Sequence, residues 1–449
     1  MRSYWMNCSR SSEYAVPALS ATELQSIIDQ LLAARAQYLV HRSVASIVSG
    51  LDRAVQLWLD PTSSERQEAE AALPAETGLS PEMICHTLPL LFQEYRAERV
   101  EALLRDELGD LHALDRFIPA LKGWRKAHGP ALITQVLAGN LPGAGLDGVV
   151  FALLVKSATL VKASSSAPLL PALFARSLAR VDPALGACLT VVTWPGGNVA
   201  VEEAAFARAA IVLASGSDES LAALRQRVRG QFIGYGHKVS FSVITKEVLH
   251  DTQSVQELAR KAAYDVVLFD QQGCLSPQLV YVEEGGGVTP GEFAVLLAQA
   301  LRHWQSSLPR GEIPAEASIA IRRVRDEVEW QTLAGKEAAL YASPSGTAWT
   351  IIDDADPTCV LSPLYRTVRV KPLTTLAQLD TLLSPWRSHL EAVGLAVSPA
   401  RLMEASALLG RAGVSRICPL GTMQMPPLSW RHGGRPRIAD LVRWVGVEA

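Results

Sequence analysis

The segment Asp270-Gln271-Gln272-Gly273-Cys274-Leu275-Ser276-Pro277-Gln278 puts a thiol directly after a glycine. Glycine at position 273 lets the backbone turn tightly and lets another group approach closely. A cysteine there, with its own backbone N–H free, can attack a carbonyl carbon and help hold the resulting oxyanion. The competing reading of Cys274 is a small buried hydrophobe, the commoner use of a lone cysteine. Asn140, in Gly139-Asn140-Leu141-Pro142-Gly143, can donate its side-chain amide to such an oxyanion; it is equally a turn asparagine. Lys162 closes an apolar run and is followed by Ser164, Ser165 and Ser166. A cation and hydroxyls at a strand end suit a phosphate or a ribose, or simply face solvent. Ser215-Gly216-Ser217 can cradle a phosphate with backbone N–H groups, or cap a helix. His237 can donate a proton or touch a cofactor, but no neighbouring carboxylate orients it, which favours a role lining the pocket.

These groups need a scaffold, and the bulk numbers bound it. A chain of 449 residues predicts two or three domains. With 49% hydrophobic and 19% charged residues it is globular rather than disordered. A formal net charge of -3 offers no basic field for nucleic acid. The stretch Arg431–Arg437 is short and reads as a solvated tail. The cysteines Cys8, Cys85, Cys188, Cys274, Cys359 and Cys418 are scattered, with no CxxC pair and no nearby histidine. No metal site and no disulfide framework is expected, and a reduced, cytoplasmic protein is. The N-terminus lacks a signal-peptide core. The most apolar stretch, Leu146–Val161, is broken by Asp147 and Lys156, so no membrane span is predicted.

Apolar periodicity predicts helices from about Ala21 to His128, with Ser80-Pro81 a clear helix start. From Gly129 the texture alternates strand and helix: ALITQVLAGNLPG, DGVVFALLVKSA, TLVKASSS, APLLPALFARSLARV, LTVVTW, EEAAFARA, AIVLASGS and ESLAALRQRV. This predicts a parallel sheet with helices on both faces and ligands at the strands' carboxyl ends. Asn140, Lys162, Ser164–Ser166, Pro195–Asn198 with Gly196, and Ser215–Ser217 all fall at such ends. A second α/β region begins near Ser240. From Arg416 a Pro-, Trp- and Gly-rich tail follows. No GxGxxG follows the first strand, so an ordinary dinucleotide fingerprint is absent.

The order and spacing of AALPAETGLSPEMI, LAGNLPG, TLVKASSSAP, TWPGGN, ASGSDES, GYGHKVSFSVI, DQQGCLSPQ and PLGTMQMPPLSWRHGGRPRIADLVRWV resemble the aldehyde dehydrogenase superfamily, specifically its LuxC-like acyl-CoA reductase branch. That branch includes the long-chain fatty acid reductase of bacterial luminescence. The resemblance implies an α/β fold with a helical N-terminal region at 1–128, a Rossmann-type NADP-binding domain at 129–239 and a catalytic α/β domain at 240–415. It leaves an interdomain or oligomerisation tail at 416–449. Cys274 matches the superfamily's nucleophile, with Gly273 before it. Asn140 matches the asparagine that forms the oxyanion hole with the Cys274 N–H. Lys162 matches a lysine on the adenosine ribose, and Ser215 and Gly216 match the turn at the pyrophosphate.

Many NAD-preferring relatives carry a glutamate where this chain has Ser165. A serine beside Lys162 accepts a 2′-phosphate, so the resemblance implies NADPH. Two departures stand out. Gly234 occupies the place of a water-activating glutamate, and Ser362–Arg366 lacks a carboxylate expected to hold the nicotinamide ribose. The first loss fits a reductase that keeps water off an acyl-enzyme. The implied reaction is reduction of a long-chain acyl thioester, presented by CoA or by a partner acyl-protein synthetase, to the aldehyde. A homo-oligomer is implied as well. An oxidising aldehyde dehydrogenase, or a cysteine-acylated assembly subunit that does not reduce, remain the alternatives. His432, in the HGGR stretch, is expected to pack between domains or subunits.

Overall fold

The computed structural model describes residues 19–139 and 141–448. The described chain opens with five helices: α1 (Ala21–Tyr38), α2 (Val44–Leu59), α3 (Ser64–Thr77), α4 (Pro81–Phe92) and α5 (Ala97–Leu108). Ser20 and Glu23 bond reciprocally across the start of α1, a capping box that satisfies two otherwise orphaned donors. Ser80 caps α4 with Pro81 in its first turn, as expected. The helical reading up to His128 holds only to Leu108. Ile118–Pro119 (β1) and Trp124–His128 (β2) are strands. Their partner is the last strand of the chain, a pairing too distant for local periodicity to reveal.

A parallel sheet follows, built from β3 (Leu132–Val136), α6 (Leu146–Leu154), β4 (Ala158–Lys162), α7 (Leu169–Val181), α8 (Pro183–Gly186), β5 (Leu189–Val192), α9 (Val199–Ala207), β6 (Ile211–Ser215), α10 (Asp218–Arg225) and β7 (Gln231–Tyr235). Its order is β5-β4-β3-β6-β7. Successive strand residues point to opposite faces, and the two faces feed different cores. Leu132, Leu160 and Val212 pack with Leu24, Ile28 and Phe206 of α1 and α9. Ile133, Val161 and Leu213 pack with Val149 and Phe174 of α6 and α7. The winding reverses between β3 and β6, where the loops splay and open a crevice.

The second sheet takes β8 (Val239–Ile244), α11 (Thr252–Val267), β9 (Pro277–Glu283), α12 (Pro290–Ser307), α13 (Ala315–Leu333), β10 (Ala338–Ala342), β11 (Thr350–Asp354), β12 (Thr367–Leu373), α14 (Gln378–Leu383), β13 (Leu390–Ala396), α15 (Leu402–Ala412) and β14 (Arg416–Pro419). Its order is β10-β11-β12-β9-β8-β13-β14. Arg416, expected to start a separate tail, instead opens β14 inside this sheet. The final strand, β15 (Arg443–Val447), returns to pair antiparallel with β2.

Two short segments of this half carry unusual backbone. Phe269, Asp270 and Gln271 all have positive φ (54°, 51° and 63°), as do Leu364, Tyr365 and Arg366 (68°, 51° and 63°). Each such non-glycine residue costs roughly 1–2 kcal/mol. Side chains on the strained residues tie the segments to each other. Arg366 Nε donates to Asp270 Oδ1 at 2.8 Å, with both side chains 1% exposed. Gln271 donates to the carbonyls of Pro277 and Thr367 and accepts from the Thr367 N–H. The Gly311 N–H donates to Asp270 Oδ2. Replacing Arg366 by Met strands a buried carboxylate without its cation. We expect a stability loss of about 3–5 kcal/mol, read as a lower urea midpoint; an unchanged midpoint contradicts the clamp.

Candidate active site

A cleft of about 1220 Å³ lies between the two sheets and beneath the segment after β14. Lys162, Ser164, Gly196, Ser215, Gly216 and Ser217 line one arm, and His237, Gly273 and Cys274 line it further in. Ser165 is exposed just beyond the lining residues. Asn140 lies outside the described residues; Gly139 and Leu141 both line the cleft.

The Lys162 ammonium ends β4 at the crevice floor. It has no ion-pair partner among the described residues, and burial lowers its pKa. A desolvated, unpaired cation gains from an anion or from hydroxyl groups. Gly139 is required beside it, because a Cβ there would sit 2.3 Å from Ser164 Oγ and 2.4 Å from Ser166 Oγ. Ser217, left open between phosphate contact and cap, is the N-cap of α10: its Oγ accepts from the Ser220 N–H at 3.2 Å. Asp218 and Glu219 fill the first turn of α10, so that terminus offers an anion less than Lys162 does. Arg227, which no motif flagged, also lines this arm and is paired with the buried Glu202.

Cys274 stands in a turn closed by Ser276 N–H to Gly273 O at 3.0 Å. Its carbonyl accepts from Ser240 Oγ at 2.7 Å. The close approach expected of Gly273 is present: a Cβ there would meet Gln424 Oε1 at 2.9 Å and Leu141 Cδ1 at 3.4 Å. Gln424 is held in turn through Asp265, whose carboxylate accepts from the Gly421 and Met423 N–H groups; burial pushes its carboxyl up to about 7. Burial, then the charge of Glu391, push the Cys274 thiol up to about 12. Its own N–H, Lys238 and the Leu275 N–H pull the other way. The resting group is therefore a thiol, and attack needs a proton acceptor.

His237 is exposed, its ring centroid 6.3 Å from that of His389. His432 also lines the cleft, stacked between Tyr235 at 4.2 Å and Trp430 at 4.6 Å. Burial, with Lys238 nearby, lowers its pKa to about 4, so it is neutral near pH 7. Gly234 is exposed and does not line the cleft; Tyr235 and Lys238 do. Leu364 and Tyr365 of the second strained segment line it too.

The other arm is apolar. Leu91 and Tyr95 near the end of α4, Phe151 of α6, and Met425, Pro427 and Trp430 form its walls. The sequence reading missed that the segment after Arg416 builds this arm, and it took Arg431–Arg437 as solvated. Arg431 and Arg435 are exposed, but Arg437 is 7% exposed and pairs with Asp147. Three successive N–H groups from Arg437 to Ala439 donate to Glu107 of α5. Single charges in a polar stretch give no local sign that they will be buried.

A thiol raised this far ionises only in strong base. Alkylation of Cys274 by iodoacetamide in the free protein should therefore rise about tenfold per pH unit, with no plateau up to pH 9, the ordinary value for a thiol. Peptide mapping separates it from the other cysteines, and a plateau near neutrality contradicts the geometry.

A family model for acyl-CoA reductase (LuxC) matches residues 39–444. The chain is 26% identical over 351 residues to the long-chain acyl-protein thioester reductase of Aliivibrio fischeri, covering 76% of this chain and 69% of that protein. It is 23% identical over 419 residues to the protein of that name from Vibrio harveyi, covering 92% and 84%. Among solved structures it superposes on an oxidoreductase from Marinobacter aquaeolei with a TM-score of 0.75 at 13% identity, covering 96% and 91%. An NAD-dependent benzaldehyde dehydrogenase from Corynebacterium glutamicum gives 0.71 at 14% identity, covering 96% and 91%. At such identities the structural likeness speaks for the fold alone, which is that of the aldehyde dehydrogenases. The family match runs from just before α2 into β15, so both sheets, the Cys274 turn and the closing segment fall within it. The chain belongs to the acyl-CoA reductase (LuxC) family and is an oxidoreductase acting on acyl and aldehyde groups.

Proposed function

We propose that this protein reduces a long-chain fatty acyl thioester to the aldehyde with NADPH, through an acyl-enzyme on Cys274. The observation that carries this reading is that Cys274 lines one cleft together with Lys162, Ser164, Ser215 and Gly216 and with the apolar Leu91, Phe151 and Met425. Lys162, Ser164 and the backbone around Gly196 and Gly216 would hold the nucleotide, and Ser165 leaves room beside Lys162 for a 2′-phosphate. Tyr365, at the place of the missing carboxylate, offers a hydroxyl to the ribose. The apolar arm between Leu91, Phe151 and Met425 would take the acyl chain. The names of the Aliivibrio and Vibrio relatives support an acyl-protein donor, supplied by a synthetase partner, alongside CoA.

The chemistry divides between the residues as follows. The Cys274 sulfur attacks the thioester carbonyl, while the Cys274 N–H and the Asn140 amide hold the oxyanion. The carrier thiol leaves and the acyl group stays on Cys274. A bound nicotinamide supplies a hydride to the acyl carbon. The Cys274 sulfur then departs from the tetrahedral carbon and releases the aldehyde. With Gly234 at its place, the carboxylate that would activate water in a hydrolytic relative is missing, and Trp430 and Pro427 add apolar surface to the cleft lining. No helix among the described residues is long and apolar enough to cross a membrane. A cytoplasmic homo-oligomer is part of the proposal.

Intact-protein mass spectrometry after exposure to a long-chain acyl-CoA should show one acyl group, absent in Cys274→Ala, and NADPH oxidation should stop in the same variant. Acylation without NADPH turnover would replace this reading with a non-reducing acyl carrier. Lys162→Ala should raise KM for NADPH about ten- to hundredfold, the loss of one charge-assisted hydrogen bond, with a smaller effect on NADH. Leu91→Trp should penalise long acyl chains more than short ones; equal loss across chain lengths contradicts the acyl arm.

A further inference from the structure

Gly234 stands where a hydrolytic aldehyde dehydrogenase would carry its glutamate, yet a buried carboxylate stands near Cys274 with one oxygen that accepts no hydrogen bond. Glu391 of β13 is fully buried. Its Oε1 accepts from Ser415 Oγ and from the Gly433 N–H at 2.9 Å. Its Oε2 is buried with no hydrogen-bond partner and lies 3.9 Å from the Lys238 ammonium on the cleft wall. A buried carboxylate oxygen that accepts no hydrogen bond and has only a distant ion pair is costly and needs a reason.

The strand geometry supplies the path. Leu390 pairs with Val239 and Val393 with Phe241, so Glu391 and Ala392 together face the single residue Ser240. This is a β-bulge, which re-aims side chains and recurs next to active sites. The register on the other side of β8 also slips, between Ser240 and Ser242. Ser240 Oγ fills the gap: it accepts from the Ala392 N–H at 3.1 Å and donates to the Cys274 carbonyl at 2.7 Å. Ala392 packs with Leu275 and Cys274. One hydroxyl thus links the nucleophile's turn to the bulge that carries Glu391.

We propose that Glu391, set beside Cys274 by the bulge opposite Ser240, is the group that takes the thiol proton during acyl transfer and returns it to the leaving carrier thiol. This deepens the acyl-enzyme reading and rests on it. As the Cys274 S–H bond breaks, its proton passes to Glu391 Oε2. The sulfur lone pair forms the S–C bond, and the carbonyl π pair moves onto oxygen. Collapse of that oxyanion re-forms the carbonyl and breaks the C–S bond to the carrier, whose sulfur leaves with the proton from Glu391. No oxidation occurs in this step. The charged or titratable groups around the thiol are Glu391 on β13, Lys238 before β8, Arg416 and Cys418 on β14, Asp265 on α11 and His432 in the closing segment. Glu391 is the carboxylate whose charge raises the thiol.

The test uses Glu391→Gln in the full chain, which keeps an acceptor for Ser415 and Gly433. Two rates of Cys274 are measured at pH 8: alkylation by iodoacetamide, and single-turnover acylation by a long-chain acyl-CoA. Removing the negative charge should speed alkylation by about tenfold, one pKa unit. Removing the proton acceptor should slow acylation by about a hundredfold. Opposite signs support the proposal, because a merely structural role slows both. Any other pairing of the two rates overturns it. Should Glu391→Gln fail to fold, Lys238→Met serves: loss of its cation should slow alkylation about tenfold, and an unchanged or faster rate overturns the electrostatic link. Cys274→Ala tests the underlying reading separately. Acylation that persists there removes both ideas, whereas acylation lost there with Glu391→Gln behaving as the parent removes only the role of Glu391.

Discussion

The buried ion pair between Asp270 and Arg366 holds two left-handed segments in conformations neither would keep alone. Six non-glycine residues with positive φ represent several kcal/mol of local strain. The cost is offset because the strained residues are the ones that bind each other: Asp270 to Arg366, and Gln271 to both Pro277 and Thr367. The result is a rigid approach to the Cys274 turn from one side and a fixed rim, Leu364 and Tyr365, on the other. Such strain persists only where the surrounding structure determines it, and here it flanks the Cys274 turn.

Around that turn, one cleft is lined by Lys162, a cation without an ion-pair partner among the described residues, by the Cys274 thiol and by the apolar Leu91, Phe151 and Met425. The thiol is held protonated by burial and by Glu391, which limits adventitious oxidation or alkylation in the resting protein. Neutral His432, stacked between Tyr235 and Trp430, adds surface without adding charge. The chain after β14 closes the apolar side, anchored by Arg437 on Asp147 and by three N–H groups on Glu107. The N-terminal helices thereby form part of the cleft wall, with Leu90 and Leu91 of α4 in its lining.

Much of this arrangement was legible in the residues. The Ser80-Pro81 helix start, the strand–helix alternation from Gly129, and the clustering of Lys162, Ser164, Gly196, Ser215 and Gly216 at strand ends are local features, and they stand in the structure where periodicity and turn chemistry put them. Ser217 resolves to the cap reading. The misses share one character. Arg437 is buried where a polar stretch predicts solvation, no motif singles out Glu391 or Lys238, and β2 is a strand where periodicity predicts helix. In each case the deciding partner lies far along the chain: Asp147 for Arg437, Val239–Phe241 for the bulge at Glu391, and Arg443–Val447 for β2.

By itself, then, the sequence determined the layered α/β architecture and the clustering of Lys162, Ser164, Ser215 and Gly216 at strand ends. Helix caps, alternating strands and a glycine before a cysteine are properties of neighbouring residues. Only the tertiary structure decided which charges are buried, that Glu391 lies on a bulge opposite Ser240, and which apolar residues line the cleft. Desolvation and long-range register set those outcomes, and both depend on residues that come together only when the chain has folded.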